Sequence, residues 1–244
     1  MKKVNVLIPC AGRGSRFQEA GYTFPKPLIE VNGVPMIELV VNNLNLDGHH
    51  IFLVQEEHYT KYHLPEFFQR ITSSDERTTT IIVDTVMEGA ARHALFAKDL
   101  INNDTPLIIA NSDQYVEWDS ADFLDYMEKQ NADGGIVTFF ATHPKWSFAK
   151  IDPDTFYVSE VAEKIPISTH ATVGIYYWRK GSDFVKYAEQ MMKKDIRTNG
   201  EFYICPVFNE AIQDGKLIVP YNVKHMWGLG TPEDLTTFLS SGPK

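Results

Sequence analysis

Short apolar runs alternate with longer stretches of helical spacing through the first half of the chain. Residues 4–9, 50–55, 80–84 and 106–110 are blocks rich in Val, Ile and Leu bounded by polar or turn-forming positions, and they predict strands. Between them, residues 35–45, 57–70, 89–101 and 119–130 repeat apolar side chains every three or four positions, which predicts helices with one buried face. Alternating strands and helices imply a largely parallel sheet with crossover helices. After Gly134-Gly135 the rhythm changes: strands are predicted over 136–141, 156–162 and 172–178, then helices over 181–193 and 201–213. A last helix follows Thr231-Pro232-Glu233, where Thr231 suits the cap and Pro232 the first turn. Pro, Thr and Ser between 163 and 172 read as a loop, and no linker or internal repeat interrupts the pattern. The expected architecture is one α/β domain over residues 1–244, its mixed, mostly parallel central sheet flanked by helices.

Composition narrows the classes of partner. With 244 residues and 43% hydrophobic residues, the chain can bury one large core. A net charge of -9 argues against a nucleic-acid partner, because backbone binding needs positive charge concentrated on one face. Only two cysteines occur, Cys10 and Cys205, without the spacing of a disulfide framework or a zinc site. No apolar run nears the roughly twenty residues of a membrane span, so no membrane partner is expected. Met1 runs almost directly into the first strand, which leaves no room for a signal peptide before it and predicts a cytoplasmic location.

Candidate chemistry concentrates near the start of the chain. The strand Val4–Pro9 feeds Cys10-Ala-Gly-Arg-Gly-Ser-Arg16, where Gly12 and Gly14 let the backbone approach a ligand closely. Arg13, Arg16 and Lys26 add three cations within a few residues, more than a structural turn requires. The loop is therefore suited to a polyphosphate. It is not a P-loop, which needs Gly-Lys-Ser/Thr after four residues, nor a dinucleotide fingerprint, because Phe17 stands where a third small residue belongs.

These residues, together with Pro25-Lys-Pro-Leu28, Val31-Asn-Gly-Val-Pro-Met-Ile37, Glu88-Gly-Ala-Ala91, Asn111-Ser-Asp113, Glu163-Lys164 and Gly230-Thr-Pro-Glu233, resemble the nucleotidyltransferases that make activated sugars and related activated alcohols. The resemblance spans nearly the whole chain. It implies a Rossmann-like nucleotidyltransferase fold, with a nucleotide-binding part over about residues 1–115 and an acceptor-binding part over about 116–244. It also implies that an acceptor phosphate attacks the α-phosphate of a nucleoside triphosphate and releases pyrophosphate. An anionic acceptor needs no protein nucleophile, only alignment and compensation of crowded negative charge.

In that scheme Cys10, Ala11, Gly12, Arg13, Gly14 and Ser15 surround the triphosphate, Arg16 holds its β- and γ-phosphates, and Lys26 meets the α-phosphate. Ser112 joins the nucleotide site, and Asp113, at the end of a strand, is the ligand for Mg²⁺. Glu88, Gly89 and Ala90 fall where the family contacts the base. A carboxylate at Glu88 can only accept hydrogen bonds, which favours the exocyclic amine of cytosine and hence CTP over another nucleoside triphosphate. Lys164 approaches the acceptor phosphate. Lys150, His170, Thr172, Gly174, Arg197, Glu201 and Tyr203 are candidates for the rest of the acceptor pocket, with Arg197 facing any acceptor carboxylate.

One feature departs from the family pattern: Gly228 stands where a second metal carboxylate is expected, and Glu201 or Asp84 are acids that could replace it. Residues 21–27, 110–114, 162–168, 171–178 and 227–232 look more specifically like capsule-biosynthesis cytidylyltransferases of the CTP:phosphoglutamine type. That likeness implies a phosphorylated small-molecule acceptor, L-glutamine phosphate, with CDP-L-glutamine as product. Uridylyl, thymidylyl or guanylyl transfer to a sugar 1-phosphate, a nucleotide-sugar-dependent glycosyltransferase and an inactive nucleotide-binding regulator remain open alternatives, as does a homodimer.

Overall fold

The computed structural model describes residues 3–72, 77–83 and 88–243. In chain order, β1 (Val4–Pro9), α1 (Ser15–Glu19), the hairpin β2 (Glu30–Val31) and β3 (Val34–Pro35), and α2 (Met36–Leu44) lead to β4 (Gly48–Gln55). Helices α3 (Glu56–Lys61) and α4 (Leu64–Thr72) connect to β5 (Thr78–Val83); α5 (Ala90–Ala94) and α6 (Lys98–Ile101) precede β6 (Leu107–Ala110). The second half runs β7 (Gln114–Val116), α7 (Ser120–Lys129), β8 (Gly134–Phe140), β9 (Ser147–Ile151), β10 (Val158–Glu163) and β11 (His170–Trp178). It closes with α8 (Gly181–Lys193), α9 (Val207–Gln213), β12 (Ile218–Asn222), β13 (Met226–Gly228) and α10 (Pro232–Ser241).

The main sheet, nine-stranded among the described residues, follows the order β10-β9-β11-β6-β1-β4-β5, with β8 on the other side of β11 and β12 beyond it. Strands β5, β4, β1 and β6 are mutually parallel, as are β8 and β12; β11 runs against β6 and β8, and β10 against β9. Only β10 and β11 oppose the common direction, so the sheet is mixed and mostly parallel, as the alternating pattern predicts.

Both faces are covered, which explains why the strands read as unbroken apolar runs. Along β1, Leu7 enters one core with Ile51 and Leu53 of β4, while Val6 and Ile8 enter the other with Phe52 and Val54. Trp178, stacked on Phe208 at 4.2 Å between centroids, anchors α8 and α9 to the first face. Phe52 and Phe68, stacked at 3.9 Å, fasten α4 to the second. A third small core joins Phe17 of α1 and Met36 of α2 to Leu229, Leu235 and Phe238, so the beginning and end of the chain meet beside the sheet.

Three predicted helices are revised. The helix expected over 57–70 breaks at Tyr62-His63, where His63 takes φ 49, and becomes α3 and α4. The one expected over 89–101 is interrupted by a 3₁₀ turn at Leu95–Ala97. The third, over 201–213, begins only at Val207. Before it, Glu201 pairs with Thr198, and Phe202 donates its amide to Glu88 O and accepts from Ala91 N, so the segment is spent on neighbouring backbone. Pro206 then opens α9 with its fixed φ. The last residue of the strand expected over 80–84, Asp84, lies outside the described residues. Strands β9 and β12 and the small sheet β7–β13 are not among the predicted elements, and Pro220 is tolerated in β12 because, among the described residues, that strand pairs only with β8. Thr231 and Pro232 open α10 as expected, the threonine hydroxyl accepting from Asp234 N at 3.1 Å. No helix among the described residues is long and apolar enough to cross a membrane.

Candidate functional site

A cavity of about 840 Å³ opens beyond the ends of β1 and β6, where open α/β sheets bind ligands. Its first wall grows out of β1. Cys10 N donates to Leu53 O at 2.8 Å and Gln55 Nε2 donates to Ala11 O at 2.8 Å, so the chain is held rigidly until Gly12 releases it toward the cavity. Gly14 adopts φ 63, and a Cβ there would stand 3.2 Å from the Lys26 Cβ; glycine lets the loop pack directly on Lys26. Buried Phe17 anchors α1, leaving Ser15 and Arg16 exposed at the rim.

Lys26 is presented between Pro25 and Pro27. Its Nζ sits 2.7 Å from Asp113 Oδ2, with side chains 19% and 24% exposed. The loop after β6 carries Asp113, whose carbonyl accepts from Leu229 N at 2.8 Å and thereby ties it to the segment between β13 and α10. Gln114 lines the same wall; its Nε2 donates to Asn111 O at 2.8 Å, while its buried Oε1 has no hydrogen-bond partner among the described residues.

The opposite wall comes from β9–β11 and the segment before α9. Glu163 is buried at the end of β10, where Ser147 Oγ donates to it and burial pushes its carboxyl above the ordinary value. The next residue, Lys164, turns into the left-handed region at φ 57 and donates its amide to Trp146 O. Its Nζ donates to Tyr203 Oη at 2.6 Å and lies 4.4 Å from that ring's centroid. Burial, with Glu201 beside it, pushes the Tyr203 hydroxyl up. Thr172 and Tyr176 hydroxyls meet at 3.0 Å on the floor, and Gly174, at φ 83, admits Asn111 so closely that a Cβ would stand 2.2 Å from its Nδ2.

The cavity therefore unites Gly12, Gly14, Ser15, Arg16, Lys26, Ala90, Ser112, Asp113, Lys164, Thr172, Gly174, Glu201 and Tyr203 from the predicted set. Others lie elsewhere. Cys10 and Ala11 are buried behind the loop, the Cys10 thiol pushed up to about 12 by burial, and Arg13 is exposed and does not line the cavity. Lys150 is exposed on β9, and His170 packs its ring 5.1 Å from that of Phe140 with Nδ1 buried and unpartnered. Gly89 is buried against the Phe202 backbone. Glu88 is exposed and forms an ion pair with Arg197, whose guanidinium also covers the Phe202 ring at 4.2 Å. The lining residues outside the predicted set include Asn111, Gln114, Lys145, Trp146, Ser147, Tyr176 and Asp234. Gln114 adjoins Asp113 in sequence and Asn111 opens the Asn111-Ser-Asp113 motif; the others have no local signal and arrive through tertiary structure.

Four cations, Arg16, Lys26, Lys145 and Lys164, and four carboxylates, Asp113, Glu163, Glu201 and Asp234, line the cavity. Such a wall can hold a polyanion and discriminate what lies beside it. Among the described residues no three His, Cys, Asp or Glu side chains could hold a metal ion by themselves. A divalent cation would still fit at Asp113, where the Lys26 ammonium already occupies a cationic position, provided that phosphate and water supply most of its ligands.

The family described as nucleotidyl transferase matches residues 5–241. A 2-aminoethylphosphonate cytidylyltransferase of Lancefieldella rimae is 34% identical over 100 residues, covering 36% of the chain and 41% of that protein. A mannose-1-phosphate guanyltransferase of Yarrowia lipolytica is 28% identical over 139 residues, covering 57% of the chain and 38% of that protein. The chain thus spans less than half the length of these curated relatives. In fold it is similar to a nucleoside-diphosphate-sugar pyrophosphorylase of Vibrio cholerae, with a TM-score of 0.81, 24% identity and coverage of 97% and 100% of the two chains.

Proposed function

Because the chain belongs to the nucleotidyl transferase family, we propose that it transfers CMP from CTP to a phosphorylated small-molecule acceptor and releases pyrophosphate. An oxygen of the acceptor phosphate forms the new bond to the α-phosphorus as the bond to the pyrophosphate oxygen breaks. The observation that carries this reading is the Lys26–Asp113 pair at 2.7 Å beside the glycine loop, facing Lys164 and Tyr203 in the same cavity. Two separated cationic positions, one beside a carboxylate, suit two phosphate groups that must meet.

The backbone amides of the Gly12–Ser15 loop and Arg16 hold the β- and γ-phosphates, and Lys26 answers the charge that develops at the α-phosphate. Lys164 orients the acceptor phosphate, with the Tyr203 ring limiting its sweep. Thr172, Glu163 and Glu201 receive the remainder of the acceptor. Asp113 would hold Mg²⁺, which would neutralise phosphate charge. The cytidylyl donor is favoured by the 34%-identical stretch shared with a cytidylyltransferase, and L-glutamine phosphate is the acceptor implied by the motif subgroup. Base reading by Glu88 requires its carboxylate to leave Arg197; the loop backbone is the alternative source of selectivity. The match to a guanyltransferase supports a second reading, transfer to a sugar 1-phosphate.

A matrix of CTP, UTP, dTTP and GTP against phosphoglutamine, 2-aminoethylphosphonate and sugar 1-phosphates, scored by pyrophosphate release with Mg²⁺, tests both. CTP is expected to lead by about 10–100-fold in kcat/KM, the size of a good base contact, and Lys26→Ala to lose about 10²–10³ in kcat. Equal use of UTP overturns the cytidylyl reading; a folded Lys26→Ala protein with normal kcat overturns the assignment of Lys26.

A further inference from the structure

We propose that Asp234, from the first turn of α10, supplies the second carboxylate of the metal site that the strand itself lacks at Gly228. The inference rests on the nucleotidyl-transfer reading above and names a residue that the motif did not mark.

Leu229 is fully buried in the small third core, so its neighbours Gly228 and Gly230 turn the other way and both line the cavity. Each bare backbone position faces a carboxylate. A Cβ at Gly230 would stand 2.9 Å from Asp113 Oδ2, and a Cβ at Gly228 would stand 3.5 Å from Asp234 Cγ and Oδ2. An aspartate side chain on residue 228 would therefore extend into space that the Asp234 carboxylate already takes. The carboxyl group is present at the expected place, delivered from a different element.

That delivery is fixed by the start of α10. Thr231 caps the Asp234 amide at 3.1 Å and Pro232 sets the first helical φ, so Asp234 projects from a rigid turn. Its Oδ1 accepts from Lys145 Nζ at 2.8 Å, just as Asp113 Oδ2 accepts from Lys26 at 2.7 Å. Both carboxylates thus hold a lysine ammonium where a metal ion would place its charge.

An independent polar group lies on the same wall. Gln114 lies directly opposite Gly228 in the β7–β13 pair and lines the cavity, and its buried Oε1 has no hydrogen-bond partner among the described residues. An orphaned acceptor suits a water bound to a metal, and Mg²⁺ commonly keeps several waters beside one or two carboxylates and substrate phosphates. Glu201 is the weaker replacement, because it acts on Tyr203 in the opposite wall.

Mn²⁺ binding followed by electron paramagnetic resonance, in the presence of the unreactive analogue α,β-methylene-CTP, tests the proposal without turnover. Asp234→Asn, Asp234→Ala and Asp113→Asn should each weaken Mn²⁺ by about 10–100-fold, and Gly228→Asp in the Asp234→Ala background, where the side chain filling that space is gone, should restore most of the loss. Lys145→Gln should bind Mn²⁺ at least as tightly as the unaltered protein, which separates a ligand from a mere partner of Lys145. Unchanged Mn²⁺ affinity in Asp234→Asn, with a loss in Asp113→Asn, overturns the role of Asp234 and leaves the proposed function standing. If the unaltered protein binds the analogue but no Mn²⁺, the metal site is overturned; if it does not bind the analogue, the nucleotidyl-transfer reading falls first.

Discussion

Gly89→Ala should damage the acceptor side of the site more than the nucleotide side. Gly89 has φ 104 and ψ 161, a region essentially reserved for glycine, where another residue costs about 1–3 kcal/mol. An added Cβ would stand 2.3, 2.5 and 2.7 Å from the O, N and C atoms of Phe202, which are backbone and cannot rotate aside. Relief requires a shift of roughly 1 Å to reach ordinary contact. That shift strains the two bonds latching the segment, Phe202 N to Glu88 O at 2.8 Å and Ala91 N to Phe202 O at 2.9 Å, each worth about 1 kcal/mol net. The total is about 3–5 kcal/mol, or a fall in Tm of roughly 10 °C at 2–4 °C per kcal/mol for a chain of this length. Glu201 and Tyr203 flank Phe202 and line the cavity, so acceptor KM should rise several-fold more than nucleotide KM. Gly33→Ala is the control, since Gly33 has φ 86 but nothing within 4 Å of its added Cβ, leaving backbone strain alone. Differential scanning fluorimetry and steady-state pyrophosphate release measure both quantities. A Tm loss no larger than that of Gly33→Ala refutes the close-approach reasoning, and a rise confined to nucleotide KM would make Gly89 a nucleotide contact instead.

Two further outcomes follow from the same structure. Urea unfolding of Lys26→Ala, Asp113→Ala and the double variant should return a coupling of about 1–2 kcal/mol, below that of a fully buried pair because both side chains retain some exposure; additive losses would mean that the pair contributes nothing in the free protein. His50 is buried on β4, and burial holds it down to about 4 from 6.5, so the unfolded chain binds a proton that the folded one refuses. Its contribution is complete above about 6.5 and is lost as pH falls from there toward 4, to a limit of ~3 kcal/mol. His50→Gln should flatten that decline in pH-dependent unfolding, and an identical slope in both proteins would contradict it.

What could be read from the chain divides by how locally each feature is encoded. Strand β1 and helix α8 were legible because the residues that bury them lie within one run: Val6, Leu7 and Ile8 need only two faces, and α8 repeats its apolar positions at Phe184, Tyr187, Ala188 and Met191. The segment 201–206 was not. Phe202, Ile204 and Cys205 are all buried, which mimics one side of a helix, yet the backbone pairing of Phe202 with Glu88 and Ala91 joins positions more than a hundred residues apart and keeps the segment out of the helix. The pair Glu88–Arg197 escaped for the same reason. Each charge was given a ligand in the sequence, whereas the fold gives each the other.

The glycine loop and Lys26 stand at the opposite extreme, because short-range backbone geometry and two flanking prolines define them almost alone. Asp234 needed the fold. Its carboxylate becomes meaningful only once Leu229 is buried beside Leu235 and Phe238, which docks α10 against the end of β13 and the segment after it, where the two glycines lie. The departure at Gly228 is then a transfer of position between adjacent elements of one packed unit: glycine clears the strand face, the cap at Thr231 fixes the helix, and the helix returns the carboxylate to the face that was cleared.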